Sequence, residues 1–301
     1  MPDVATRTAA EARERREAVA PPSDDAGGWR DVVTVIRPPG GLPRLHLFEL
    51  WRYRELAFRI IWRDVKVRYK QTFFGVAWAL LQPVLMMAVF TVFLGQIEGI
   101  APAGVPYPLF ALAGLVPWTL FSQSLIGASN SLVNSQNLIS KVYFPRLLLP
   151  IAGVGSFVVD FLVALVLLLL VTPLFGFPLT VTILWLPVFA LLAVFAALAV
   201  GTWLAAINAR YRDVRHAVPF LVQIWLFASP VAYSITLVPE SLRGLFALNP
   251  MTGVIVGFRW ALLGGDRPDT AIFVSAAATV GILFLGVAYF RRVERFFADM
   301  I

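Results

Sequence analysis

The sequence predicts an all-α integral membrane protein: six transmembrane helices, an N-terminal amphipathic interfacial helix, and two short re-entrant helices between spans 5 and 6. Three observations lead there. The 301 residues are 59% hydrophobic and only 14% charged, where an ordinary soluble domain is about a quarter charged; mean hydropathy is +0.77. Residues 71–140, 147–209, 216–242 and 268–290 contain neither Lys nor Arg, and a soluble core does not accommodate such runs. A bilayer core of about 30 Å takes about 20 apolar residues as helix, and dividing the runs at their Pro, Gly and polar breaks yields six spans.

Residues 1–43, with "TRTAAEARERREAVAPPSDDAGG", mix charge, small residues and Pro/Gly. They lack the apolar centre of a signal peptide and read as a disordered cytoplasmic tail, a short basic amphipathic helix being the alternative. Residues 44–70 follow, where Leu47, Leu50, Trp51, Arg54 and Phe58 fall near helical spacing among basic residues. This is the pattern of a helix lying in the headgroup plane, and Trp51, Tyr53, Trp62 and Tyr69 suit that depth; a plain positively charged flank is the alternative.

Within residues 71–290, span 1 is expected over about 75–95 and span 2 over about 109–133. Toward its end span 2 turns polar. Gln123, Asn130 and Asn134 stand at i, i+7 and i+11 on one face, which predicts either helix-packing contacts or the lining of a hydrated path, since a polar stripe cannot face lipid without cost. The stretch "NLISKVYFPRLLLP" then suggests a short amphipathic helix at the membrane surface, although taken alone it reads equally as an ordinary turn carrying cytoplasmic positive charges. Span 3 is expected over about 147–171 and holds Asp160 near its middle, with no intramembrane His, Lys or Arg in obvious register. An acid there costs about 2.5–3.5 kcal/mol on insertion scales, so it is expected to hydrogen-bond inside the protein, a proton-carrying site being the alternative. Spans 4, 5 and 6 are expected over about 180–206, 217–235 and 271–290. Asn249 before Pro250 reads as an N-cap and first helical position, so the re-entrant pair, residues 239–263, divides there. Residues 291–301 are expected to be a cytoplasmic tail.

Loop charge sets the orientation, because Lys and Arg are retained in the cytoplasm. The side bearing the termini carries fifteen basic residues beyond the first 51, and the other carries three, Arg243, Arg259 and Arg267. Both termini are therefore expected in the cytoplasm. The basic balance reflects this asymmetry and not nucleic-acid binding.

The chemistry the chain lacks is equally informative. It has no cysteine, which excludes disulfides and thiolate metal sites. None of Lys66, Lys70 and Lys141 closes a P-loop. His46 and His216 form no His-Glu-x-x-His pair, no Gly-x-Ser-x-Gly elbow occurs, and no acidic cluster suggests a metal. An enzyme or scaffold acting without ATP is the rival class.

"RDVKVRYKQTFFGVAWALLQPVLMMAVFTVFLG", "NLISKVYFPRLLLP" and "NARYRDVRHAVPFLVQIWLFASPVAY" together resemble the membrane subunits of ABC-type exporters for lipid-linked polysaccharides of the O-antigen, capsule and teichoic acid kind. The similarity runs from about residue 45 to the C-terminus. It implies a permease of the bacterial inner membrane that forms a homodimer and docks two copies of a separate ABC subunit, which would supply ATP and Mg; this chain itself would hold no cofactor. By the same resemblance, Asn137, Ser140, Lys141, Tyr143 and Arg146 would form the main coupling element. Arg63 and Asp64, at the foot of the interfacial helix, and Arg210, Arg212 and Asp213 would give further contacts to the ATPase.

A polyprenyl diphosphate would need cations near the headgroups, and Arg59, Arg63, Lys66, Arg68 and Lys70 are the available set. Retention in the cytoplasm and ATPase docking would use the same residues. Six helices do not easily enclose a wide pore, so a sugar chain would pass along a seam between two subunits. Trp78, Phe90, Phe220, Trp225 and Tyr233, with Gln123, Asn130 and Asn134, are the candidate lining, packing and interface anchoring being the alternative for the aromatic residues. The same architecture could serve a drug or small lipid.

Overall fold

The computed structural model describes residues 47–70, 75, 77–211, 213–265 and 271–294. Among these residues every regular element is helical. Helices α1 (Leu47–Arg52) and α2 (Arg54–Tyr69) form the interfacial segment and break at Tyr53, so the expected single helix is two. Then come α3 (Ala77–Leu94), α4 (Tyr107–Asn134), the one-turn α5 (Gln136–Ile139), α6 (Leu148–Leu174) and α7 (Leu186–Arg210), which a 3₁₀ turn, Val181–Trp185, leads into. They are followed by α8 (Val214–Phe227), a 3₁₀ turn at Ile235–Leu237, α9 (Glu240–Ala247), α10 (Pro250–Leu263) and α11 (Ala271–Glu294). The tail 1–43, Arg212 and residues 295–301 lie outside the described residues.

Five helical segments are long and apolar enough to cross a membrane: α3, α4, α6, the 3₁₀ turn continued by α7, and α11. Helices α9 and α10 meet at 101° and make a sixth only if counted as one span. The division at Asn249 is as expected: its side chain accepts from the Met251 amide at 3.1 Å, the geometry of an N-cap before Pro250. The expected span 5 is corrected. Its helix, α8, runs from Val214 and ends at Phe227, so at 1.5 Å per residue its 14 residues reach only about 21 Å. The chain then turns through "ASPVAYS", where Pro230 removes a backbone donor.

The core is organised around α4. Its surrounding helices α3, α6, α7, α8 and α10 bury nearly all of it, and α11 lies against α7 and α10. Phe121, Phe110, Leu112 and Leu125 of α4 are almost wholly buried, as are Phe258 of α10 and Leu168 of α6. Helices α4 and α6 touch where Gly127 meets Gly153: a Cβ on Gly153 would sit 2.9 Å from the Gly127 carbonyl oxygen. A second apolar cluster gathers Ile60 of α2, Leu132, Phe144, Leu147, Ala205 and Phe290, joining the interfacial helix and the loop after α5 to the ends of α4, α6, α7 and α11.

The outer helices keep apolar surface uncovered. Val92 and Phe93 of α3, Phe220 and Phe227 of α8, and Phe273 and Phe284 of α11 are each more than 60% exposed. In a protein with this composition such faces meet lipid or another chain.

Candidate functional site

Helix α2 separates its cations into two sets. At 3.6 residues per turn Arg59, Arg63, Lys66 and Lys70 fall within about 60° of one another, while Arg68 lies about 180° from Arg59. The first four are exposed and Arg68 is half-buried. The reason is packing: Ile60 and Val65 bury the opposite face of α2 against α6, and Arg68 shares that face.

There Arg68 meets α6. Its guanidinium pairs with the Asp160 carboxylate and donates to the Ser156 carbonyl at 3.2 Å and the Ser156 hydroxyl at 3.0 Å. It also lies 3.8 Å from the centre of the Phe157 ring, a cation–π contact. The Tyr69 hydroxyl donates to the other carboxylate oxygen of Asp160. Burial, followed by the hydrogen bond to the Asp160 carboxylate, pushes the Tyr69 phenol up to about 12, so it stays protonated. Asp160 thus finds its partners outside its own span, in the last turn of the interfacial helix. The pair is invisible within the membrane runs themselves, and the helical register of Arg68 is the signal that identifies it.

Two cavities flank Arg68. The first, about 290 Å³, lies between α2, α3, α4 and α6 and is lined by Tyr69, Trp78, Gln82, Thr119, Gln123 and Asp160 among others. The second, about 300 Å³, lies between α2, the end of α4 and the start of α6, and its lining includes Arg63, Asp64, Ser131, Asn134 and Ser156. Arg63 is held by its neighbour Asp64 at 2.8 Å. The Gln123 amide approaches Gln82 of α3 at 3.5 Å.

The polar stripe of α4 therefore divides in function. Gln123 and Asn134 reach the two cavities, whereas Asn130 accepts from Asn208 of α7 at 3.1 Å, and Asn208 also donates to the Ser129 carbonyl at 2.9 Å. Asn130 is a helix-packing contact. The aromatic candidates divide as well. Trp78 and Phe220 are 51% and 65% exposed. Phe90, by contrast, is buried in the main core, which corrects its place in a path lining on this chain's surface. Trp225 donates to Asn249 at 3.2 Å and packs edge-on to Phe121. Tyr233 donates to the Phe227 carbonyl at 3.0 Å. These two side chains hold the turn after α8.

The stretch expected to couple to an ATPase is exposed at one end and anchored at the other. Its helix, α5, is one turn long, and no regular element follows it before Leu148. Asn137, Ser140, Lys141 and Tyr143 are exposed. Phe144 is buried, and Arg146 is bound to the end of α11: its amide donates to the Glu294 carboxylate at 3.2 Å and its guanidinium to the Glu294 carbonyl. Arg210 and Asp213 are exposed between α7 and α8, with the Arg210 guanidinium 5.3 Å from the Tyr211 ring.

The model of the ABC-2 type transporter family matches residues 55–263, from the first turn of α2 to the end of α10. The chain belongs to that family. Among curated relatives, the O-antigen export system permease protein RfbA of Myxococcus xanthus is 33% identical over 261 residues, covering 84% of this chain and 98% of that protein. A Klebsiella pneumoniae protein of the same name is 23% identical, covering 79% and 92%. The polysialic acid transport protein KpsM of Escherichia coli is 21% identical, covering 77% and 91%. The matched range of this ABC-2 chain contains the Arg68–Asp160 pair, both cavities and the loop from Asn137 to Arg146.

Proposed function

We propose that this chain is the membrane-spanning subunit of an ATP-driven exporter that moves a polyprenyl-diphosphate-linked, O-antigen-like polysaccharide from the cytoplasm across the inner membrane. The observation that carries this reading is the likeness to an O-antigen export permease along 98% of that protein's length. It works as a homodimer with two copies of a separate ABC subunit that binds ATP and Mg, and both termini lie in the cytoplasm. Supporting the partner is a sequence without a P-loop together with an exposed loop, Asn137 to Tyr143, whose other end is anchored to the core. Supporting contact with anionic headgroups or a diphosphate is the exposed stripe Arg59, Arg63, Lys66 and Lys70; Arg68 is committed to Asp160 and is not part of it.

In such a cycle closure of the ATPase pair moves the loop and the interfacial helix, both joined to α6, and the rigid helices pass the displacement to the seam between subunits. Extraction in mild detergent followed by mass spectrometry tests this. A P-loop ATPase recovered near one-to-one, and lost on scrambling residues 137–143, is the expected result, with polysaccharide accumulating in the cytoplasm on deletion of the chain. Absence of any ATPase under several gentle conditions, or activity of the chain alone on a polyprenyl-linked sugar, would count against it.

A further inference from the structure

Arg259 is a cation that the proposed cycle does not use. It lies on α10 and is only 8% exposed. Among the described residues no carboxylate pairs with it, which is unusual for a buried charge. Its partners are backbone carbonyls. Nε donates to Phe110 at 3.3 Å, Nη1 to Pro230 at 2.6 Å and Tyr233 at 3.2 Å, and Nη2 to Val231. Its guanidinium carbon also lies 3.5 Å from the centre of the Phe110 ring.

Three of those four acceptors come from one stretch, residues 230–233. Carbonyl dipoles aimed at a common centre repel one another unless a cation occupies it. The fork of a guanidinium suits this geometry, since its N–H groups diverge in one plane. Around the same stretch the Tyr107 hydroxyl donates to Ala232 at 2.9 Å, Asn249 donates to the Ser229 hydroxyl at 2.8 Å, and the Ser234 amide donates to Ile100 at 2.9 Å. The site is also tight: a Cβ on Gly114 would lie 2.8 Å from Arg259 Nη2 and 2.9 Å from the Val231 oxygen.

We propose that residues 230–233, with Phe110, form a carbonyl cage specific for a guanidinium, that Arg259 is its tethered resident, and that this occupancy fixes the end of α8 to α4 and α10. Arg259 is thus a positioning residue. Its consequence for export rests on the proposed function, because α8 carries the exposed Phe220 on the expected seam; the cage itself does not.

The chain has no cysteine, so Ala232→Cys, at a position 5% exposed, provides a clean reporter on the full-length protein in nanodiscs. Adding Arg259→Ala is expected to raise the rate of maleimide labelling about tenfold by local opening. Millimolar methylguanidinium is expected to return it close to the parent rate, and methylammonium to leave it raised. Arg259→Lys, a point charge without the fork, is expected to label like the alanine variant. Unchanged labelling in Arg259→Ala, or equal rescue by methylammonium, would overturn the cage. If Arg259→Ala does not fold, Gly114→Ala keeps the cation and crowds it: faster labelling supports the proposal, and parent-like labelling overturns it. Export is read separately in cells, so a chain that exports nothing leaves the labelling result standing on its own.

Discussion

At the scale of single residues, the Arg68–Asp160 pair ties the interfacial helix to α6. Its side chains are 29% and 20% exposed, so water screens the attraction in part and removing either partner leaves a half-buried charge. Arg68→Ala and Asp160→Leu are each expected to destabilise the protein by about 1–3 kcal/mol, less than a fully buried pair would lose. A double-mutant cycle on thermal unfolding in detergent checks this, with the reversed pair Arg68→Asp/Asp160→Arg recovering part of the loss.

Tyr69 gives a pH dependence whose sign is fixed. Its pKa is raised from 10.0 to about 12 in the folded protein, so the unfolded chain loses the phenol proton first. The contribution of Tyr69 to stability is complete below pH 10 and is lost as pH rises from about 10 to about 12. Titration of tyrosinate absorbance in parent and Tyr69→Phe proteins measures it, and the variant is expected to show one late-titrating phenol fewer. At this scale the sequence revealed which residues are unusual more readily than what they touch. Asp160 stands out by its place in an apolar run, but its partners lie 91 and 92 residues away, and only the register of α2 distinguishes Arg68 from the four cations on the other face. Arg259 counted as a loop charge in the sequence, and nothing in its spacing foretells four backbone carbonyls.

At the scale of elements, close approach and anchoring decide more than hydropathy. The Gly127–Gly153 crossing holds α4 and α6 closer than side chains would permit. Gly153→Ala places a methyl against backbone, which cannot rotate aside, and is expected to cost about 1–3 kcal/mol in unfolding experiments. The loop before α6 permits a sharper contrast. Tyr143 is 69% exposed and Phe144 is 4% exposed. Phe144→Ala is expected to destabilise the fold by about 3–5 kcal/mol. Tyr143→Ala is expected to leave the melting temperature unchanged while weakening recovery of the ATPase partner. Apolar run lengths located α3, α4, α6, α7 and α11 to within a few residues, since the membrane imposes the length. They failed for α8, because the apolar residues after Phe227 serve a clamped turn, and hydropathy does not distinguish a turn buried in protein from a helix.

At the scale of the whole molecule, the described helices bury α4 and leave the outer faces of α3, α8 and α11 apolar and uncovered. If the homodimer forms along α3 and α8, Phe220→Cys is expected to cross-link to its counterpart in native membranes, whereas Phe273→Cys on α11 is expected not to. Electrophoresis under non-reducing conditions reads both. The arrangement of α6 has a mechanical consequence. The helix begins at Leu148, directly beyond the anchored loop, and carries Asp160 twelve residues later, about 18 Å along its axis at 1.5 Å per residue. In the proposed cycle a push from the loop would act at one end of this rod, while Arg68 ties it part-way along to α2. The tie is a fulcrum. On that cycle a small axial thrust at the foot is expected to become a tilt, with the far end, Thr172 to Leu174, sweeping through the largest arc.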